Sequence, residues 1–309
     1  MTVLILTCEE DVTADLVVAA LQERGVPLIR LDPADLPGDV ALAAEYTQGD
    51  MHGYLSAGGR MGSAVGLRSV WMRRPGTPAA HAAEPSGWLT TESEHALYGM
   101  LGCLPVRWMN HPMAAAQARY KPWQLHLAQL SGFAVPPTLI TSFPEAARQF
   151  ATVHRDLVVK TVSGTHPDDP PRVLPTTRIT PEVDFSGVSA GPTLLQRHVN
   201  KCADIRLTCV GERLFAARKA ADPHEVDGRF AASGAGWEPV GVPDRIARSV
   251  RSYMEAARLA YGAFDFAAEE DGTWWFLECN QGGQFGFVQL DTGQQIARAV
   301  AVWLSVEAR

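Results

Sequence analysis

The stretch at residues 261–284, YGAFDFAAEEDGTWWFLECNQGGQ, constrains the fold of this chain more than any other. Two strand-like runs, at residues 263–268 and 273–279, flank an acidic turn that ends in Asp-Gly. Asp-Gly between apolar runs is one of the better short-range signals for a β-hairpin. The sequence therefore predicts a hairpin here, with a polar, glycine-rich segment leaving its second strand.

Three oxygen-bearing side chains can meet on this hairpin. Glu278 and Asn280 share one face of the second strand because side chains alternate, and Asp265 lies on the partner strand. Carboxylates left unpaired among apolar residues are costly, whereas Mg²⁺ prefers carboxylate and phosphate oxygens. The pattern predicts a Mg²⁺ site that carries a nucleotide's phosphates. The alternative is an ordinary hairpin whose acids face solvent, and the polar exit at residues 281–284 favours the metal site.

Length, charge and cysteine content limit the classes of protein. A chain of 309 residues can form two or three packed units, and its net charge of −7 argues against a general binder of nucleic acid or anionic membranes. The five cysteines have no C-x-x-C pair and no zinc spacing, which is typical of reduced thiols in a cytoplasmic protein. The first ten residues lack a basic n-region, and no run approaches the roughly 18 apolar residues of a membrane span. We expect a soluble, cytoplasmic protein.

The N-terminal region has the pattern of a βαβ unit. An apolar run at residues 3–7, a helical pattern at 14–24 and a second apolar run at 26–31 predict a parallel sheet. The loop after the first strand lacks G-x-G-x-x-G, so the dinucleotide fingerprint is absent from its place. The glycines between residues 58 and 66 follow no strand that feeds a helix, and they predict a turn between strands.

Two lysines and a pair of arginines stand out further along. Lys121 lies within a helix predicted over residues 113–130, and Lys160 lies in the strand-like run DLVVKT. A lysine in an apolar strand needs a partner to offset its desolvation, either a nucleotide phosphate or a buried acid. A strand at residues 69–72 delivers Arg73 and Arg74, which either hold an anion or carboxylate or form a solvated pair.

A second hairpin is predicted from residues 204–210 and 213–220. In DIRLTCV the side chains of Asp204 and Arg206 share one face, which places an acid beside an arginine over a buried sheet. Residues 165–192 and 223–236 are polar and weakly periodic, so we expect loops there, with one short strand near residues 172–174.

The order of these parts resembles the ATP-grasp fold. WMRRP, NHP, DIRLTCVGERLFAARKA and FLECNQGGQF are similar to the synthetases that crosslink ribosomally made peptides, the graspetide or microviridin-type maturases. They are more distantly similar to the ligases that add glutamate to ribosomal proteins. The resemblance implies an α/β (α+β) fold with a pre-ATP-grasp domain at residues 1–112, a central lid domain at 113–195, and a C-terminal domain at 196–309 with the metal site.

The resemblance also implies a role for each matching residue. Lys121 and Lys160 would neutralise phosphate charge, the segment 196–199 would present backbone groups to adenine, and Asp204 would reach ribose or orient Arg206. This chain has Gln-Arg-His in that segment where such proteins often have Gln-Glu-aromatic. The implied nucleotide-binding residues are Lys121, Lys160, Ser163, Gly164, Gln196, Arg197, His198, Val199 and Asp204. The implied catalytic residues are Arg206, with Arg218 and Lys219 as further candidates, and the metal ligands are Asp265, Glu278 and Asn280.

The implied reaction is the ATP- and Mg²⁺-dependent ligation of side chains. An Asp or Glu carboxylate of a precursor peptide with a leader segment attacks the γ-phosphate, and a Ser or Thr hydroxyl or a Lys amine then displaces phosphate. Loops at 163–192 and 223–236 would exclude water from the acyl phosphate. Two alternatives remain: an ATP-grasp ligase for a free amino acid or another protein's terminus, and a non-catalytic nucleotide-binding protein. The family resemblance also implies a homodimer.

Overall fold

The structure is a computed structural model and describes residues 1–79, 87–164, 174–221, 226 and 236–306. Within these ranges the chain forms four β-sheets with α-helices packed against them, so the mixed α/β class is as predicted. The part of the chain that the structure describes contains no helix long and apolar enough to cross a membrane.

The first sheet is parallel and contains the predicted βαβ unit. Strand β1 (Thr2–Thr7) leads into helix α1 (Val12–Glu23) and then strand β2 (Leu28–Leu31), which pairs with β1 in parallel. Helix α1 begins where the side chain of Asp11 accepts hydrogen bonds from the first backbone N–H groups of the helix. The apolar residues of β1 are fully buried, as a strand covered on both faces requires.

A small antiparallel sheet follows, formed by β3 (Val40–Thr47), β4 (Asp50–Ala57) and β5 (Arg60–Ser63). Gly58 and Gly59 have positive φ angles in the turn between β4 and β5, so these glycines form a turn between strands as predicted. The pattern did not indicate β3, because most of its residues are exposed on both faces and carry no clear alternation.

Two further strands complete the parallel sheet. Strand β6 (Leu67–Arg74) pairs with β1, helix α2 (Trp88–Gly102) follows, and β7 (Arg107–Met109) pairs with β6. The strand order is β2-β1-β6-β7. The carboxyl end of β6 therefore delivers its two arginines to one edge of this sheet.

The single helix predicted over residues 113–130 is wrong, because the structure has two. Helix α3 (Pro112–Ala118) ends before Tyr120, whose backbone is extended, and helix α4 (Lys121–Leu130) begins directly after it. Proline in a helix interior lacks a donor and clashes with the preceding turn, so Pro122 is accommodated only in the first turn of a new helix. Lys121 consequently opens a helix.

The central sheet is antiparallel, with strand order β10-β9-β11-β8. Its elements are β8 (Thr138–Thr141), α5 (Pro144–His154), β9 (Leu157–Lys160), β10 (Thr177–Ile179) and β11 (Thr193–Arg197). The short strand predicted near residues 172–174 is misplaced: Leu174 is not in a strand, residues 172 and 173 lie outside the described ranges, and β10 comes three residues later.

The last sheet contains both predicted hairpins in the order β14-β13-β12-β15-β16. Its strands are β12 (Ala203–Val210), β13 (Arg213–Ala220), β14 (Glu238–Pro239), β15 (Tyr261–Ala268) and β16 (Trp274–Asn280). Helices α6 (Asp244–Ala257), α7 (Gly286–Thr292) and α8 (Ile296–Ser305) accompany it. The domain boundaries after residues 112 and 195 stay predictions.

An aromatic cluster supports the inner face of this sheet. The ring of Phe133 lies 5.4 Å from that of Phe276, 5.5 Å from Phe266 and 6.0 Å from Phe264, centroid to centroid. Side chains alternate along β15, so Phe264 and Phe266 face the cluster while Asp265 faces the other side. On β16 a register shift between Phe276 and Glu278 pairs Phe276 with Phe266, which places this ring with the cluster and Glu278 opposite Asp265. The core therefore fixes the strands that carry the predicted metal ligands.

We expect Phe133→Ala to lower the free energy of unfolding by about 3–5 kcal/mol, because it removes a ring that contacts several others and leaves a cavity. Denaturant unfolding measures the change. Phe143→Ala is the matched control, since that ring is 72% exposed and should alter stability by no more than about 0.5 kcal/mol. Equal effects of the two substitutions would contradict the assignment of this core.

Candidate functional site

A cavity of about 640 Å³ lies between the central sheet and the last sheet. Helix α4 and strands β9, β11, β12, β15 and β16 contribute side chains to its wall. The predicted site residues that line it are Lys121, Lys160, Gly164, Gln196, Arg197, His198, Val199, Asp204, Arg206, Lys219, Asp265, Glu278 and Asn280. Residues as distant in sequence as Lys121 and Asn280 therefore meet at one cavity.

Two predicted site residues are not in its wall, Ser163 and Arg218. Arg218 was expected to face the γ-phosphate, but it is exposed and stands opposite Ile205 in the β12–β13 pairing. Lys219 stands opposite Asp204 and lines the cavity. Neighbouring side chains on a strand point to opposite faces, so only one of these two cations can face the site.

The three predicted metal ligands share one face of the β15–β16 hairpin. Asp265 is directly opposite Glu278, and Asn280 is opposite Ala263 on the same face. The Asn280 side-chain oxygen also accepts a hydrogen bond of 2.9 Å from the backbone N–H of Gly282. Two carboxylates and an amide oxygen at the wall of this cavity suit Mg²⁺, which takes its remaining ligands from phosphate and water.

Other kinds of metal centre find no support in the described ranges. They contain no group of three or more His, Cys, Asp or Glu side chains placed to hold a metal ion. A zinc site built from nitrogen and sulfur ligands is therefore not formed by these residues.

Asp265 has a basic partner that the sequence did not identify. The Nη1 atom of Arg206 lies 2.8 Å from both carboxylate oxygens of Asp265, and its Nη2 atom donates to the carbonyl of Gln284 at 2.9 Å. Burial lowers the pKa of Arg206, but the adjacent Asp265 raises it, and the net pKa lies above its ordinary value. The guanidinium thus stays charged at the wall of the cavity.

The two lysines approach the cavity from different elements. Lys121 donates from Nζ to the carbonyl of Thr161 at 2.9 Å, and its Nζ is 3.9 Å from a carboxylate oxygen of Glu278. Lys160 donates to the side-chain oxygen of Gln196 at 3.0 Å. Each ammonium group is therefore held at the wall of the cavity by an oxygen acceptor, and that of Lys121 also lies close to the predicted Mg²⁺ face.

The segment at residues 196–199 connects the central and last sheets. His198 donates its backbone N–H to the carbonyl of Asp156 at 2.9 Å, and its Nδ1 lies 3.2 Å from that carboxylate. Burial lowers the pKa of His198, although Asp156 opposes that change. The Arg197 guanidinium lies 4.7 Å from the centre of the Trp275 ring. Direct contact of this segment with adenine stays a prediction.

Asp204 does not orient Arg206, which was one of its two expected roles. Its carboxylate lies 2.6 Å from Nζ of Lys201, a residue that also lines the cavity. Contact with ribose stays a prediction for Asp204.

The glycine-rich exit from the hairpin is held by residues that sequence reasoning did not assign to the site. Asn110 is buried, and its amide donates to the carbonyls of Tyr261 at 2.8 Å and Gln281 at 3.0 Å. Its side-chain oxygen accepts from the backbone N–H groups of Ala260 and Tyr261. The NHP motif was a signal for this residue, but its contacts are made across 150 and more positions of sequence.

Arg73 makes the second connection to this exit. Its guanidinium is buried, lies 3.2 Å from the Asp11 carboxylate and donates to the carbonyls of Gly282 and Gly283. Of the two interpretations of the arginine pair, Arg73 agrees with the first in that it holds a carboxylate, although this carboxylate is that of Asp11 in the same chain and backbone carbonyls accept its other hydrogen bonds. Arg74 is exposed.

Gly283 must be glycine for a steric reason. A Cβ atom at this position would lie 2.5 Å from the Ala263 side chain and 2.8 Å from Nη2 of Arg206.

We expect Gly283→Ala to displace Arg206, to lower activity, and to lower the free energy of unfolding by about 1–3 kcal/mol. Thermal unfolding and turnover measure the two effects. Gly241→Ala is the control, since a Cβ there meets nothing within 4 Å; a stable, fully active Gly283→Ala would contradict this packing.

Comparison with known proteins finds one matching family model and several similar solved structures. A family model described as the MvdD pre-ATP grasp domain matches residues 2–116. The macrocyclase MdnC from Microcystis aeruginosa MRC, solved with the precursor peptide MdnA, is 27% identical, with 98% of this chain and 99% of that chain covered and a TM-score of 0.87. A search of curated proteins found no match.

Two further solved structures share the fold at lower identity. A ribosomal-peptide-associated ATP-grasp ligase from Chryseobacterium gregarium, in complex with ADP and a leader and core peptide, is 22% identical over 98% of this chain and 96% of its own, with a TM-score of 0.85. The ATP-grasp ligase PsnB, complexed with minimal precursor, Mg and ADP, is 21% identical over 100% of this chain and 97% of its own, with a TM-score of 0.79.

Proposed function

We propose that this chain, an ATP-grasp protein of the type that matures ribosomally made peptides, is an ATP-dependent ligase that joins side chains within a precursor peptide. The observation that carries the proposal is the single cavity in which Lys121, Lys160, Arg206, Asp265 and Glu278 converge. A ligase that makes an acyl phosphate needs cations for phosphate and acids for Mg²⁺ in one place. MdnC, a macrocyclase solved with its precursor peptide, supports the choice of substrate class.

ATP is the proposed energy source, with its phosphates between the two lysines and the β15–β16 hairpin. An ammonium about 4 Å from a phosphate oxygen contributes roughly 4 kcal/mol per charge pair at an effective dielectric constant near 20, before desolvation is subtracted. Relatives solved with ADP, and in one case with Mg, support this choice. Ser163 and Gly164 remain proposed contacts of the nucleotide, as do residues 196–199 and Asp204.

Asp265, Glu278 and Asn280 are the proposed ligands of Mg²⁺. When bound, Mg²⁺ neutralises charge on the β- and γ-phosphates and holds them for in-line transfer. The shared face of these three side chains fits this role, because it places two carboxylates and one amide side chain at the cavity.

The proposed reaction conserves atoms in two steps. A peptide carboxylate oxygen attacks the γ-phosphorus, the bond to the β-phosphate oxygen breaks, and ADP leaves. A Ser or Thr hydroxyl or a Lys amine then attacks the acyl carbon, loses its proton, and inorganic phosphate leaves. Arg206 stabilises the charge that develops on the transferred phosphoryl group, with Lys219 nearby, so no enzyme nucleophile is required.

Mass spectrometry tests the proposal directly. The protein is incubated with ATP, Mg²⁺ and a candidate precursor, a small peptide with clustered Thr or Ser and Asp or Glu residues encoded near its gene, and each ring should remove the mass of one water while one ADP appears. Reactions without ATP are the control. In a parallel reaction with free amino acids added, a peptide that gains the mass of an amino-acid residue would instead support a ligase for free amino acids. An unchanged peptide with no ADP formed would support a non-catalytic protein.

We propose further that the protein is a cytoplasmic homodimer that binds neither nucleic acid nor membrane. Strand β3 supports dimerisation, because it is an edge of its sheet and carries a single charged residue, Glu45. The cysteines among the described residues are free, which supports a reducing compartment. Light scattering measures the mass in solution, and a monomer at micromolar concentration would contradict the dimer.

A further inference from the structure

The wall of the cavity becomes aromatic beside Arg206. Trp237 and Phe287, here called the aromatic shelf, both line the cavity, and their ring centroids are 5.7 Å apart. The Trp237 backbone N–H donates to the carboxylate of Asp291 on α7 at 3.1 Å. Helix α7 therefore positions both rings of the shelf.

The shelf lies at the end of the cavity where the chemistry is proposed. The guanidinium carbon of Arg206 is 6.0 Å from the centre of the Phe287 ring. Arg206 is two residues further along β12 than Asp204, about 7 Å at the rise of a strand. If Arg206 holds a carboxylate of a peptide, the neighbouring residues of that peptide would lie over the shelf. The segment at 196–199 precedes β12 and therefore lies on the Asp204 side of Arg206.

An apolar path continues from the shelf to the outer surface. Phe287 is 40% exposed and Leu290 is 77% exposed, and residues three apart on a helix share a face. A ligand that fits both features would carry an acid for the cations of the cavity and, next to it, an apolar residue for the exposed side chains of Phe287 and Leu290. A free nucleotide or a small polar amino acid offers no group that would cover Leu290.

We propose that the aromatic shelf is a specificity subsite for the precursor peptide, where an apolar side chain adjacent to the reacting Asp or Glu packs against Phe287 and Trp237. Arg206 and Lys219 meet the acid, and Leu290 receives the next apolar residue. This inference rests on the proposed function and adds a sequence preference to it. The occupant of the subsite is a segment of the precursor peptide in which an Asp or Glu is followed by an apolar residue.

Paired peptides test the subsite. Two versions of the candidate precursor peptide carry leucine or serine next to each reacting acid, and both kcat/KM for ring formation and the peptide Kd with Mg²⁺ and ADP are measured. Burial of one leucine side chain predicts that the unaltered protein prefers the leucine version by roughly tenfold or more. Phe287→Ser should reduce that preference to about one, while the Kd for ADP stays within about threefold.

Leu130→Ser is the matched control, because Leu130 is 71% exposed at the far end of α4, and it should keep the full preference. Equal preference in the Phe287→Ser and unaltered proteins would overturn the subsite, and a large loss of ADP affinity in Phe287→Ser would assign the shelf to the nucleotide. If no rings form but the Kd still favours leucine in a Phe287-dependent way, the subsite stands and the proposed reaction falls. If neither version of the peptide binds, the subsite is overturned.

Discussion

Glu278→Gln should lower the rate of peptide ligation about 10²–10³-fold while the protein stays folded. The substitution keeps the shape of the side chain but removes the negative charge opposite Asp265, and an amide is a weaker ligand for Mg²⁺. The Glu278 side chain is 40% exposed, so its loss should change the free energy of unfolding by no more than about 0.5 kcal/mol. Turnover measured as a function of Mg²⁺ concentration should show a higher requirement for the ion.

Glu270→Gln provides the control for this prediction. Glu270 belongs to the same hairpin but is exposed in its turn, so the change in charge is identical and the metal face is untouched. Turnover of Glu278→Gln equal to that of the control would remove Glu278 from the proposed metal site. Loss of thermal stability in Glu278→Gln alone would indicate a structural role for this carboxylate.

Arg206→Lys should reduce ligation about 10²–10³-fold and leave the Kd for ADP within about threefold. A planar guanidinium donates to both oxygens of Asp265 and to the carbonyl of Gln284, and a lysine ammonium cannot reproduce that fork. The loss of these partly buried hydrogen bonds to a charged group should lower stability by about 1–3 kcal/mol. Single-turnover ligation, calorimetric ADP binding and thermal unfolding separate the three effects.

Arg218→Lys is the matched control, since Arg218 lies on the other face of the neighbouring strand and should tolerate the change. A collapse of ADP affinity in Arg206→Lys would place Arg206 with the bound nucleotide instead of with the transferred phosphoryl group. Normal ligation by Arg206→Lys would show that the charge alone is sufficient.

The local parts of this site could be predicted from the sequence because they depend on alternation along single strands. The faces shared by Glu278 and Asn280, and by Asp204 and Arg206, follow from the spacing of those residues. The two hairpins, the βαβ unit and the turn at Gly58 also follow from patterns a few residues long. The helix over residues 113–130 failed at Pro122, although the proline itself was a signal for a break.

Only the tertiary structure decided which side chains pair with each other across different strands and helices. Arg206 could have paired with Asp204 on its own strand, but the register between β12 and β15 places it opposite Asp265. Arg73 reaches the carbonyl of Gly282 across 209 positions, and α7 brings Phe287 to the same cavity. Side-chain periodicity is set within one element, whereas contacts between elements depend on how strands pair and sheets pack, and no short stretch of this sequence encodes that.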